Sequence, residues 1–94
     1  MKTKEFLSTS ISLVEGDRQK DYGDKLHNHT NIAKLWSAYL DTEVSAHDVA
    51  IMMALLKVAR TKLGQVSEDT YVDMSAYSAI AGEIKFRTSK KEKG

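Results

Sequence analysis

The stretch Val49-Ala50-Ile51-Met52-Met53-Ala54-Leu55-Leu56-Lys57-Val58-Ala59 constrains this chain more than any other, because Lys57 is its single polar residue. A surface helix carries an apolar stripe about 100° wide. A helix with this composition is therefore expected to be surrounded on most sides, as the central helix of the domain. Its start is also legible. Ser45 is an N-cap, and Asp48 three residues on supplies a first-turn carboxylate, a variant of the capping box. The helix is expected to stop at Gly64. The longest unbroken apolar run, Val49 to Leu56, is too short for a bilayer, which takes about 20 residues.

Proline is absent and few segments alternate as a half-buried strand would, so helix is the expectation throughout. A first helix over about residues 4–15 places Phe6, Leu7, Ile11 and Val14 on one face, and Gly16 sits where it would stop. A polar loop with Tyr22-Gly23 follows, and Asp24 caps a second helix carrying Leu26, Ile32, Leu35, Trp36, Tyr39 and Leu40, ending near Leu40. A fourth helix starts about Glu68, after Ser67, turns Val72, Met74, Tyr77, Ile80, Ala81 and Ile84 inward, and fades after Phe86. Four helices joined by roughly 4 to 8 residues make an all-α, compact antiparallel bundle. Residues 1–87 form the single helical domain, and 88–94, with Lys90, Lys91 and Lys93, form a basic flexible C-terminal tail.

Partners follow from size and charge. A chain of 94 residues buries only about two-thirds of its unfolded surface, and without cysteine it has no disulfide or thiolate-metal staple. A homo-oligomer is expected. Fourteen basic against 13 acidic residues give a net charge of +1, and no helix has a basic face, so sequence-specific DNA binding is not expected. The N-terminus lacks the continuous apolar stretch of a signal peptide, so neither a membrane nor export is expected and the location is cytoplasmic.

Chemistry concentrates in two stretches that mix acids with tyrosines: Gly16-Asp17-Arg18-Gln19-Lys20-Asp21-Tyr22-Gly23, and Asp69-Thr70-Tyr71-Val72-Asp73-Met74-Ser75-Ala76-Tyr77. Between them the central helix ends in Lys57-Val58-Ala59-Arg60. Antiparallel packing of the third and fourth helices turns Lys57 and Arg60 toward Asp69 and Asp73, since spacings of three and four share a helix face. The resulting charge ladder has two readings. It is a structural seam of ion pairs, or it is a phosphate site in which Lys57 and Arg60 take phosphate oxygens, Asp69 and Asp73 hold Mg2+, and Tyr22, Tyr71 or Tyr77 stacks on a base. His27 and His29 are two apart, about 200° on a helix, so they do not chelate together and are expected to be exposed or capping. No glycine-rich phosphate loop, thiol nucleophile or Gly-x-Ser-x-Gly turn is present.

The order Gly16-Asp-Arg-Gln-Lys-Asp-Tyr-Gly-Asp24, Asn28-His29, Ile32 to Leu40, Asp48-Val49-Ala50, Leu56-Lys57-Val58-Ala59-Arg60 and Asp69 to Tyr77 resembles a family of small uncharacterised phage and prophage proteins. The likeness covers about residues 12–84. More distantly it resembles the all-α nucleotide pyrophosphohydrolases of the MazG type, which also carry a Lys-x-x-Asp-Tyr-Gly element. That resemblance implies a nucleotide-like small molecule, bound by Arg18, Lys20, Asp21, Tyr22, Lys57, Arg60, Tyr71 and Tyr77. The MazG-type enzymes hold Mg2+ with a Glu-x-x-Glu pair and a Glu-x-x-Asp pair, whereas this chain has no Glu-x-x-Glu and offers only Asp69 and Asp73. Three functions follow: a phage accessory protein that binds a nucleotide or its derivative, a reduced Mg2+-dependent nucleoside triphosphate pyrophosphohydrolase, and a host-takeover or anti-defence factor with a host protein as partner.

Overall fold

The computed structural model describes residues 1–15, 25–64 and 66–93. Among them stand four helices and no strand: α1 (Thr3–Glu15), α2 (Lys25–Leu40), α3 (Ala46–Arg60) and α4 (Glu68–Lys93). This is the expected all-α bundle. The broadest seam joins α3 to α4, with α2 laid on α3 and α1 on α4. The buried apolar side chains are Val49 and Ala50 of α3, Val72, Ala76, Ala81 and Ile84 of α4, and Ala33 of α2. So many alanines at the seam allow a short interaxial distance, which depends on the side chains at the contact.

The caps follow the residues that announced them. The Ser45 hydroxyl accepts the Asp48 backbone N–H at 3.0 Å, and the Asp48 carboxylate accepts the Ser45 backbone N–H at 3.1 Å, completing the capping box. That backbone N–H, helped by the Ser45 hydroxyl and the nearby His47 ring, holds the Asp48 carboxyl below its ordinary value, against a small opposing effect of burial. A depressed carboxyl stabilises the fold above its unfolded pKa, and this contribution is lost as pH falls through the folded value. Ser45→Ala is expected to lose about 1 kcal/mol in urea unfolding near neutral pH. Asp48→Asn should lose stability near neutral pH and match the wild type at a pH where Asp48 is protonated in both the folded and the unfolded state; an equal deficit at every pH would contradict the assignment. At the other junction, Asp41 adopts the left-handed conformation with φ of 55°, and Thr42 N–H reaches back to Ser37 O at 3.2 Å in a Schellman closure of α2. Ser37 Oγ then accepts Val44 N–H at 2.9 Å and donates to Val44 O at 3.2 Å, fixing the α2–α3 loop.

Several expectations are corrected. Helix α3 ends at Arg60 rather than running to Gly64, because Thr61 Oγ1 donates to Val58 O at 2.7 Å and the Lys62 and Leu63 N–H groups close a tight turn on Ala59 and Arg60. Helix α4 does not fade after Phe86 but continues to Lys93. On α1, Leu7 and Ile11 are exposed, and the buried side chain is Ser10. The central helix is not enclosed. Both its neighbours, α2 and α4, lie against the side that carries Val49, Ala50, Met53, Ala54 and Lys57, and Ile51, Met52, Leu55, Leu56 and Val58 are exposed. No helix among the described residues is long and apolar enough to cross a membrane.

Candidate functional site

Lys57 occupies the inward face of α3 near its C-terminal end, and Asp73 lies on the second turn of α4. The short 61–67 connection brings them together: Lys57 Nζ stands 3.3 Å from an Asp73 carboxylate oxygen, with the side chains only 14% and 29% exposed. One rung of the expected ladder is therefore present. The other is not: Arg60 and Asp69 are both exposed, and neither forms an ion pair among the described residues. Helical geometry supplies the reason. Three residues turn the chain about 300°, so Arg60 projects about 60° around α3 from Lys57.

Beside the surviving pair, α1 and the first turns of α4 flank an open cleft of about 420 Å³, lined by Thr9, Ser12, Leu13, Asp69, Val72 and Asp73. Three contacts hold α1 in place. The buried Ser10 hydroxyl lies 3.0 Å from Val72 O and equally far from Phe6 O, so its one proton is shared between two carbonyls. The Phe6 ring meets Tyr71 edge-on, with centroids 6.3 Å apart at 76°. The Met1 amino group pairs with the Glu68 carboxylate. Tyr71 is thus packed on Phe6 while remaining partly exposed, and Tyr77 is half-buried six residues on, about 240° around α4. The two tyrosines do not converge on one face.

Arg18, Lys20, Asp21 and Tyr22, with the caps Gly16 and Asp24, lie outside the described residues. Asp69 and Asp73 do not by themselves suit Mg2+: Asp73 is paired with Lys57, and no group of three or more histidines or carboxylates able to hold a metal ion occurs among the described residues. His29 is buried, which corrects the expectation of exposure. It shares a face with Ala33 four residues on, also buried. His27 is exposed, with its Nε2 3.4 Å from the Asn31 amide, and His47 stands 3.9 Å from Asp48. The cleft's Thr9 and Ser12 were not singled out by sequence reasoning. Their signal was the Ser8-Thr9-Ser10-Ile11-Ser12 run, too polar for a helix that only covers a core.

Comparison with known proteins places the chain among phage sequences. It is 43% identical over 75 residues to the Gene 55 protein of Mycobacterium phage L5, an alignment covering 79% of this chain and 48% of that protein. To the Gene 55 protein of Mycobacterium phage D29 it is 37% identical over 82 residues, 87% of this chain and 54% of that one. The chain thus spans about half the length of these curated relatives. No solved structure matches it. A family match extends over residues 5–85, from the third residue of α1 through the buried Ile84, and so takes in every residue that lines the α1–α4 cleft. The chain belongs to the family described as Domain of unknown function (DUF6378).

Proposed function

We propose that this chain is a phage or prophage accessory protein that binds a nucleotide or nucleotide-derived small molecule in the α1–α4 cleft, and that it works as a homo-oligomer. One observation carries the reading: the exposed Asp69 carboxylate shares a cleft of about 420 Å³ with the Thr9 and Ser12 hydroxyls, between the apolar walls of Leu13 and Val72. The volume falls within the range of about 300–1,000 Å³ typical of small-molecule sites. A carboxylate accepts hydrogen bonds from vicinal sugar hydroxyls or an exocyclic amine, and a hydroxyl serves as donor or acceptor. Two carboxylates repel phosphate. The ligand's sugar or base end therefore enters the cleft, and this reading assigns its phosphates to Arg60, with Arg18 and Lys20, which lie outside the described residues, as further partners.

Binding is favoured over hydrolysis by the same geometry. A pyrophosphohydrolase of reduced MazG type needs carboxylates free to hold Mg2+, and Asp73 already neutralises a half-buried Lys57. The test is thermal unfolding against nucleosides, nucleotides, cyclic oligonucleotides and ADP-ribose derivatives, each with and without Mg2+. A ligand at about 100 times its dissociation constant adds roughly 2.7 kcal/mol to the native state. The stabilising compound should have no effect on Asp69→Asn, whose own melting temperature stays near that of the wild type because Asp69 is exposed. No shift with any compound would sink the binding reading, and product formation with Mg2+ would replace it by the enzymatic one.

A further inference from the structure

The outer face of α3 carries a continuous row of exposed apolar side chains. Ile51, Met52, Leu55, Leu56 and Val58 are each between 38% and 59% exposed. At about 100° per residue, Val58, Ile51, Leu55, Ala59 and Met52 fall within an arc of roughly 120°, with Leu56 at its edge. Monomeric proteins rarely leave so continuous an apolar stripe in water.

We propose that this stripe is covered by the same stripe of a second copy, with the two α3 helices antiparallel about a two-fold axis at Leu55. The charges at its ends select the arrangement. The charged residues that flank the stripe are Asp48, seven positions before Leu55 in the first turn of α3, and Lys62, seven positions after it in the turn that follows α3, and both are exposed. Antiparallel pairing about Leu55 sets Asp48 opposite the partner's Lys62 twice over, and aligns the helix dipoles favourably. Parallel pairing would oppose Asp48 to Asp48 and Lys62 to Lys62. The same register lays Ile51 on the partner's Ala59 and Met52 on the partner's Val58, so small and large side chains alternate across the seam. A two-fold interface of this kind is closed and self-complementary, which limits assembly to a pair.

Because the chain has no cysteine, one introduced thiol reads the axis directly. In an antiparallel pair, only the residue on the axis meets its own copy. Leu55→Cys should oxidise to a covalent dimer, and Ile51→Cys, whose copies are separated by about eight residues of helix, should not. Light scattering of the wild type at about 100 μM should give twice the 10.5 kDa chain mass. Leu55→Glu, which sets two carboxylates against each other on the axis, should raise the dimer dissociation constant at least about a hundredfold and keep the wild-type helical circular dichroism. Lys62→Glu should weaken the dimer without touching the apolar stripe. A monomeric wild type would overturn the proposal and leave the stripe to a different protein or to another segment of a longer chain. Equal cross-linking of Leu55→Cys and Ile51→Cys would overturn the antiparallel axis.

Discussion

Val49→Ala is expected to lower stability by about 2.5 kcal/mol. Among the described residues Val49 is 0% exposed and is the largest side chain that is fully buried. Removing its two methyl groups forfeits roughly 1.6 kcal/mol of transfer free energy at about 0.8 per carbon. The remainder comes from the cavity left between α3 and α4, which the surrounding side chains fill only in part. For a domain of this size, 1 kcal/mol corresponds to about 4–8 °C in melting temperature, so the variant should melt some 10–20 °C lower. The comparison belongs at one protein concentration, because association would shift both values by mass action. The same seam predicts that Ala50→Leu is destabilising despite its added apolar surface, by about 1–3 kcal/mol of overpacking. A Val49→Ala variant within about 0.5 kcal/mol of the wild type would show that the α3–α4 seam is not where the core lies.

What the sequence disclosed and what it hid divide along one physical line. Local rules carried far: the Ser45–Asp48 capping box and the absence of proline specified helices whose ends agree within a few residues, apart from α4, which continues to Lys93. The apolar content of α3 marked it as a central helix surrounded on most sides, but content does not say how many neighbours arrive. With α2 and α4 on one side, half its apolar side chains stay in water. Hydropathy reports that a face must be covered, not that the same chain covers it. The Lys57–Asp73 pair was legible because the short connection after α3 forces antiparallel packing and so fixes which turns oppose each other. Arg60 and Asp69 were assigned by spacing alone, and spacing leaves the azimuth of α4 against α3 undetermined. The α1–α4 cleft was illegible for a related reason. Where α1 docks depends on long-range contacts, Ser10 to Val72 and Phe6 to Tyr71, that no local rule encodes.

Breaking the Lys57–Asp73 pair from either side is expected to cost about 1–3 kcal/mol, while removing both charges together should cost little. Each group is more than two-thirds buried at the side chain, so each has given up most of its hydration in exchange for the other at 3.3 Å. Lys57→Met leaves the Asp73 carboxylate facing the seam without a cation, and Asp73→Leu leaves the ammonium of Lys57 without an anion; in both, the uncompensated charge is the main loss. The double variant has no charge to strand. Its methionine and leucine fill comparable volume, so its stability should return to within about 1 kcal/mol of the wild type. Unfolding of the four proteins gives the coupling free energy directly, and strictly additive losses would show that the two groups do not interact. The cycle also separates seam from site. Asp73 borders the cleft that Asp69 opens, so a double variant that regains stability and still responds to a ligand would assign the pair to the bundle alone. One that regains stability and has lost the response would make the Asp73 carboxylate part of the binding surface, with Lys57 as the group that holds it in place.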